Sequence, residues 1–106
     1  MHGAFLSRSN FRGAAFTATH LEGAFFVGAN LEGADFDLAE LSGAVLSGPE
    51  PVGPARVDGA NFKEANLDGC LLQGVDLSKA VGLTQTQIDE AEIDSDTKLP
   101  SRLDGD

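Results

Sequence analysis

The chain has 106 residues and a formal net charge of −10, from 17 acidic and 7 basic side chains. That length holds one small domain with a modest core, and so acidic a chain is unsuited to binding nucleic acid or an anionic membrane surface through its overall field. A single cysteine excludes an internal disulfide, and no apolar run is long enough to cross a membrane as a helix.

In chain order, Met1-His2-Gly3-Ala4 lacks the basic-then-apolar pattern of a secretory signal, so a cytoplasmic location is the expectation. A five-residue period then takes over. Leu6, Phe11, Phe16, Leu21, Phe26, Leu31, Phe36, Leu41 and Leu46 follow one another at intervals of five, and the residue two before each is small, from Ala4 and Ser9 through to Ala44. A helix repeats every ~3.6 residues and a strand every ~2, so neither alone explains this spacing. A short strand followed by a corner does. Strand side chains alternate, so each large residue and its small partner share the inside, and the residue between them faces out. The remaining two residues turn the corner, where Gly3, Gly13, Gly23, Gly28, Gly33 and Gly43 tolerate the tight bend. Stacked, such units wind into a parallel β-helix whose coils hydrogen-bond along their backbones.

Ala29-Asn30-Leu31-Glu32-Gly33, Ala34-Asp35-Phe36-Asp37-Leu38, Ala60-Asn61-Phe62-Lys63-Glu64 and Ala65-Asn66-Leu67-Asp68-Gly69 follow the pattern A(D/N)LXX. Over residues 3–82 the chain resembles the pentapeptide repeat family on these units. The resemblance implies an all-β fold: a right-handed quadrilateral parallel β-helix with four repeats to a coil and about four coils. At ~4.8 Å between parallel strands the rod is expected to be on the order of 19 Å long.

The period slips once, at 47–56, where three of the four prolines sit. Large positions resume at Val57, Phe62, Leu67, Leu72 and Leu77, which reads as two units plus one residue, with Val52 a candidate large position. Proline cannot donate to a ladder, so a bulge or short loop is expected here, and such a loop on a rigid scaffold is also a candidate recognition element.

Residues 83–93 read as a short capping α-helix. Thr84 suits the N-cap with Gln87 completing a capping box, Leu83 and Ile88 have the spacing of a hydrophobic staple, and the helix is expected to fold back over the last coil. The segment from Gly82 to Pro100 also resembles the capping segment that often follows pentapeptide repeats in bacterial proteins. Residues 94–106 read as a C-terminal tail, loose from Ser101 onward. Asp94-Ser95-Asp96 lacks the glycine and the distal glutamate of a calcium loop, so no metal site is expected. The first coil carries no cap of its own in the sequence, and a second copy, a longer molecule and a frayed edge all remain compatible with it.

No catalytic or cofactor-binding residues are expected. His2 and His20 are the only histidines. His20 faces out near Glu22 and Glu40 with no nucleophile placed beside it, Cys70 takes a small inward position, and no glycine-rich phosphate loop opens a helix. Two surfaces stand out. Phe5, Phe25 and Val45 occupy outward positions one coil apart, with Val27 beside Phe25, and this apolar ladder is the candidate interface. Asp35, Asp37, Asp58 and Asp76 are expected to line one acidic face, with Glu22 and Glu40 on its neighbour.

These features read as a non-enzymatic protein-interaction or structural scaffold, with a protein partner or a second copy on the apolar ladder and neither nucleic acid nor membrane as ligand. The alternative comes from the resemblance: some members of the family mimic DNA and bind type II topoisomerases. The charge gives that alternative limited support. Residues 1–83 hold 10 acids and 5 bases, and residues 84–106 hold 7 acids and 2 bases, so half of the net charge lies beyond the repeats.

Overall fold

The structure, a computed structural model, describes residues 3–103; His2 and the end of the tail, Asp104 to Asp106, lie outside the described residues. Parallel backbone bridges join residues twenty apart: Phe5 to Phe25, Asn10 to Asn30, Ala15 to Asp35, His20 to Glu40 and Phe25 to Val45. Each bridge is closed in the same way. Phe25 N–H donates to the Ala4 carbonyl and Leu6 N–H to the Phe25 carbonyl, both at 2.8 Å. The expected short strands are thus single bridged residues, because a corner follows every one of them. Four ladders run along the molecule, named here by their first residues: Phe5, Asn10, Ala15 and His20. The whole measures 33 × 29 × 22 Å.

The inside is filled as the period requires. Leu21, Phe26, Leu31, Phe36, Leu41, Phe62, Leu67, Leu72 and Leu77 are buried with their small partners Ala24, Ala29, Ala34, Ala39, Ala44, Ala60 and Cys70. Phe16, Phe36 and Phe62 stack at successive ring-centroid distances of 5.2 Å, and Phe26 meets the edges of Phe16 and Phe36 at 6.3 Å. Burial pushes the Cys70 thiol up to about 12, which leaves it an inert filler.

The corners need a left-handed residue. Glycines such as Gly33 supply it at φ +68°, but Arg8, Ala18, Leu38 and Glu64 adopt the same conformation at φ 56–63°. An L side chain pays about 1 kcal/mol or more there.

The slip differs from its sequence reading. Bridges across it join residues 26 apart: Asn30 to Arg56, Asp35 to Asn61, Glu40 to Asn66 and Val45 to Leu71. The corner bond that elsewhere spans three residues, as from Ala24 N–H to Leu21, runs here from Ala55 N–H to the Leu46 carbonyl at 2.8 Å. Six extra residues therefore leave the coil through a single corner, rather than two units plus one. Val52 is not a large inward position but a half-buried residue packed over Gly28, and the loop contains a cis Glu50–Pro51 bond.

Beyond Leu77 the winding continues. Val81 bridges Asn61, helix α1 spans Gln85–Glu90, Glu92 bridges Leu71 and Lys98 bridges Asp76. Between Val81 and Glu92, α1 occupies the side where a further rung of the His20 ladder would follow Asn66, so it replaces a side of the winding rather than folding back over it. Gly82 makes the entry feasible: a Cβ there would lie 2.7 Å from the Lys63 nitrogen. The capping box of Thr84 and Gln87 is formed. Gln87 does more than that. It is buried, and its Nε2 donates to the Phe62 and Ala65 carbonyls at 2.8 and 2.9 Å. Nor is the segment after residue 93 simply a tail, since Lys98 lies in a ladder and Leu103 packs against the core.

Candidate functional site

The outward residue of each repeat has a local task wherever it is Asn or Asp. Its Oδ1 accepts the backbone N–H two residues on and so braces the corner. Asn10 does this for Arg12, Asn30 for Glu32, Asp35 for Asp37, Asn61 for Lys63, Asn66 for Asp68 and Asp76 for Ser78, all at 2.9–3.1 Å. Short polar side chains favour turns through this bond. Against that background, a side without such residues has given up the brace.

The Phe5 ladder is that side. It runs Phe5, Phe25, Val45, Leu71 and then Glu92. The Phe5 and Phe25 rings stack at 5.2 Å and 7°, with Phe5 84% and Phe25 36% exposed. Val45 and Leu71 are half-buried. Leu71 is the member that the sequence reading misses. Its spacing from Val45 is 26, and only a six-residue insertion in one corner reveals it. Val27 lies at the following corner and is half-buried under the proline-containing loop, in contact with Gly48, so it forms the margin of the ladder. A shallow open depression of about 450 Å³ joins Val27 and Val45 to Pro49 on one side and to Gln73, Asp94 and Asp96 on the other.

Asp94 anchors that margin. Its Oδ1 accepts the N–H groups of Gly74, Asp96 and Thr97 and the Thr97 hydroxyl, at 3.0–3.2 Å, and the same hydroxyl contacts the Leu72 carbonyl at 3.0 Å. Desolvation opposes the charge, but these donors outweigh it and hold the Asp94 pKa below the usual aspartate value.

Of the four aspartates expected on one face, Asp76 lies on a different side from Asp35. Asp35 belongs to the Ala15 ladder with Asn61 and Val81, and its Oδ1 also accepts from Asn61 Nδ2 at 3.3 Å. Asp37 sits at the next corner. Asp58 lies at the corner before that ladder, around a depression shared with Arg12 and Glu32. Asp76 is on a different side. It bridges Lys98, and Gly59 N–H bonds the Lys79 carbonyl, which aligns 76–79 with Arg56–Gly59. The Ser78 hydroxyl and N–H, helped by the Lys98 and Lys79 charges, hold the Asp76 pKa below its ordinary value. Glu40 shares the His20 ladder with Asn66, whose Nδ2 donates to it at 3.1 Å, while Glu22 stands at the following corner, 3.3 Å from His20 Nδ1. Asp76 departs from its expected side because the six-residue insertion leaves through one corner and shifts the residues beyond it by one side. Among the described residues, no three His, Cys, Asp or Glu side chains converge on a metal-sized site.

The comparisons with known proteins follow the same division of the chain. The family model for pentapeptide repeats matches residues 9–48 and 55–91, in 8 copies. The gap at 49–54 has the length of the six-residue insertion. A crystal structure of a pentapeptide repeat protein from the Arabidopsis thaliana thylakoid lumen aligns at 29% identity and a TM-score of 0.66, over 93% of this chain and 57% of that one. The pentapeptide repeat protein Rfr23 of Cyanothece 51142 aligns at 31% identity and a TM-score of 0.41, over 93% and 63%. HetL of Nostoc sp. strain PCC 7120, involved in heterocyst differentiation regulation, aligns at 23% and 0.45, over 93% and 50%. The chain thus spans less than two thirds of each of these proteins. No curated protein matches it significantly.

Proposed function

The chain belongs to the pentapeptide repeat family, a right-handed β-helix, and from that premise we propose that it is a non-enzymatic interaction scaffold whose protein partner docks on Phe5, Phe25, Val45 and Leu71. We read the rod as about four coils closed at its C-terminal end by α1 and the segments that bridge Leu71 and Asp76. Family members generally serve as structural or interaction modules, which supports the coarse reading. The observation that carries the finer one is the missing brace: on four successive rungs of one side the corner-bracing Asn or Asp is replaced by an apolar residue. Such a side forgoes a hydrogen bond at each corner and leaves a large aromatic in water, at a cost that a partner's cover offsets.

The acidic-mimic alternative draws on the family resemblance and on net charge. Asp35 and Asp76 brace corners on different sides and Arg56 stands in the Asn10 ladder, so no observation favours it over the apolar ladder.

The test is a pull-down from host lysate with wild type, Phe25→Ser and Asp35→Asn in parallel. A protein held by wild type and Asp35→Asn but lost with Phe25→Ser is the expected result. Equal recovery by all three would remove the ladder as the docking face. Loss with Asp35→Asn alone, together with displacement by duplex DNA, would favour the mimic.

A further inference from the structure

We infer that the partner element received by this face is a basic amphipathic α-helix about three turns long, laid along the Phe5 ladder. This rests on the ladder being the docking face, and it specifies the occupant by geometry and charge.

The rung spacing selects the element. The Phe5 and Phe25 rings are 5.2 Å apart, over coils spaced about 4.8 Å as parallel strands are. A helix presents a residue on the same face about every 5.4 Å, so one side chain per turn stays near each of Phe5, Phe25, Val45 and Leu71 and drifts by roughly 2 Å over the whole ladder. An extended strand brings same-face side chains past about every 6.8 Å and falls out of step by roughly 2 Å at each single rung. A helix is therefore seated rung by rung, and a strand is not.

The charge selects the flanks. Glu22 and Asp68 lie three residues before Phe25 and Leu71 at one margin, and Asp94 and Asp96 stand at the other. Glu92 closes the ladder beyond Leu71. In the depression beside Val27 and Val45, a lysine or arginine stem has apolar surface to lie on and carboxylates at its tip. A second copy of this chain matches the spacing too, but it brings another −10 and the same acidic margins face to face. The ends add a polarity. Arg8 follows Phe5 and Glu92 follows Leu71, so the helix dipole favours its N-terminus toward Glu92 and its C-terminus toward Arg8.

The experiment uses the full chain and three end-blocked synthetic peptides of about 14 residues. The first carries leucines in a single one-per-turn stripe flanked by lysines. The second has the same composition with the leucines scattered around the helix. The third keeps the stripe but replaces lysine by glutamate. Isothermal titration is expected to show the first binding at least about ten-fold more tightly than either control, with that advantage lost in Phe25→Ser and the salt dependence reduced in Asp96→Asn. Leu71→Asn serves in place of Phe25→Ser should the latter lose its thermal transition. Equal binding of the striped and scattered peptides, or of the lysine and glutamate peptides, overturns the proposal. Sedimentation velocity on the same proteins separates the two levels. Self-association that is lost in Phe25→Ser overturns the helix and keeps the ladder as an interface, whereas identical behaviour of wild type and Phe25→Ser in both assays overturns both.

Discussion

Two phenylalanine stacks run along this molecule at one spacing and in opposite surroundings. Phe16, Phe36 and Phe62 stack inside the coils, and Phe5 and Phe25 stack outside them, every successive pair at 5.2 Å and within 8° of parallel. The backbone ladder sets the ring distance in both cases, because each ring repeats once per coil. What differs is the rest of the shell. Phe16 and Phe36 have Phe26 against their edges, and all three inner rings lie in the buried core. The outer rings have each other on one side, and beyond that Phe5 is largely in water while Phe25 keeps about a third of its surface there. One geometry therefore serves stability inside and offers a surface outside, and substitutions in the two stacks should separate cleanly.

The largest effect is expected within the inner stack. Phe36 is fully buried between Phe16 and Phe62, so Phe36→Ala should cost about 3–5 kcal/mol. That is much of the ~5–15 kcal/mol a small domain possesses. Urea denaturation should show a large fall in midpoint or no folded baseline. A shift under about 1 kcal/mol would mean that the interior is not packed as described.

Gln87 tests how the inner stack ends. Its amide holds the carbonyls of Phe62 and Ala65 and its oxygen takes the Thr84 N–H at 2.8 Å. Gln87→Leu keeps the bulk and removes all three bonds, so a loss of about 2 kcal/mol is expected. Hydrogen exchange should localise the effect to α1 and the last coil. Uniform loosening of the whole rod would contradict that local role.

The five-residue period makes the interior and the side-chain orientations legible from sequence. The assignment of residues to sides beyond 47 is not legible in the same way. Prolines mark a slip but do not say through how many corners it leaves. Counting it as two units plus one displaces Asp76 by a side and hides Leu71. Asp94 is opaque for another reason: its donors include the N–H of Gly74, twenty residues away, and only the continued winding brings them together. Gln87 is half legible, since its spacing from Thr84 announces a capping box but nothing local announces the Phe62 carbonyl.

A smaller change sharpens the comparison from the backbone side. Leu38 follows the buried Phe36 by two residues and turns its corner at φ 63° with its side chain exposed. Leu38→Gly removes the left-handed strain at the expense of unfolded-state entropy, and a net stabilisation of up to about 1 kcal/mol is expected. Differential scanning calorimetry should show a higher melting temperature. A lower one would mean that the Leu38 side chain contributes more packing than its exposure suggests.

At the outer margin the lever is pH. The folded-state pKa of Asp94 lies below its ordinary value. Its contribution is therefore complete above the unfolded aspartate pKa of about 3.9 and is lost as pH falls through the lower, folded one. Asp94→Asn should lower stability near neutral pH and flatten that part of the acid transition. An acid transition identical to wild type would mean that the Gly74 and Thr97 bonds do not persist in solution.

The smallest effect on stability, and the most telling for function, belongs to the outer stack. Phe25 keeps about a third of its surface in water, and its stacking on Phe5 is worth only about 0.5–1.5 kcal/mol beyond the area it buries. Serine at this outward position also resembles the short polar residues that brace the other corners, so Phe25→Ser offsets part of that loss with a turn-favouring side chain. Its melting curve should stay close to wild type while its binding falls. If Phe25→Ser melts as Phe36→Ala does, Phe25 belongs to the interior and the distinction between the stacks disappears. If it melts like wild type and loses its partner, an aromatic has been kept where the fold itself favours asparagine, and partner binding accounts for its presence.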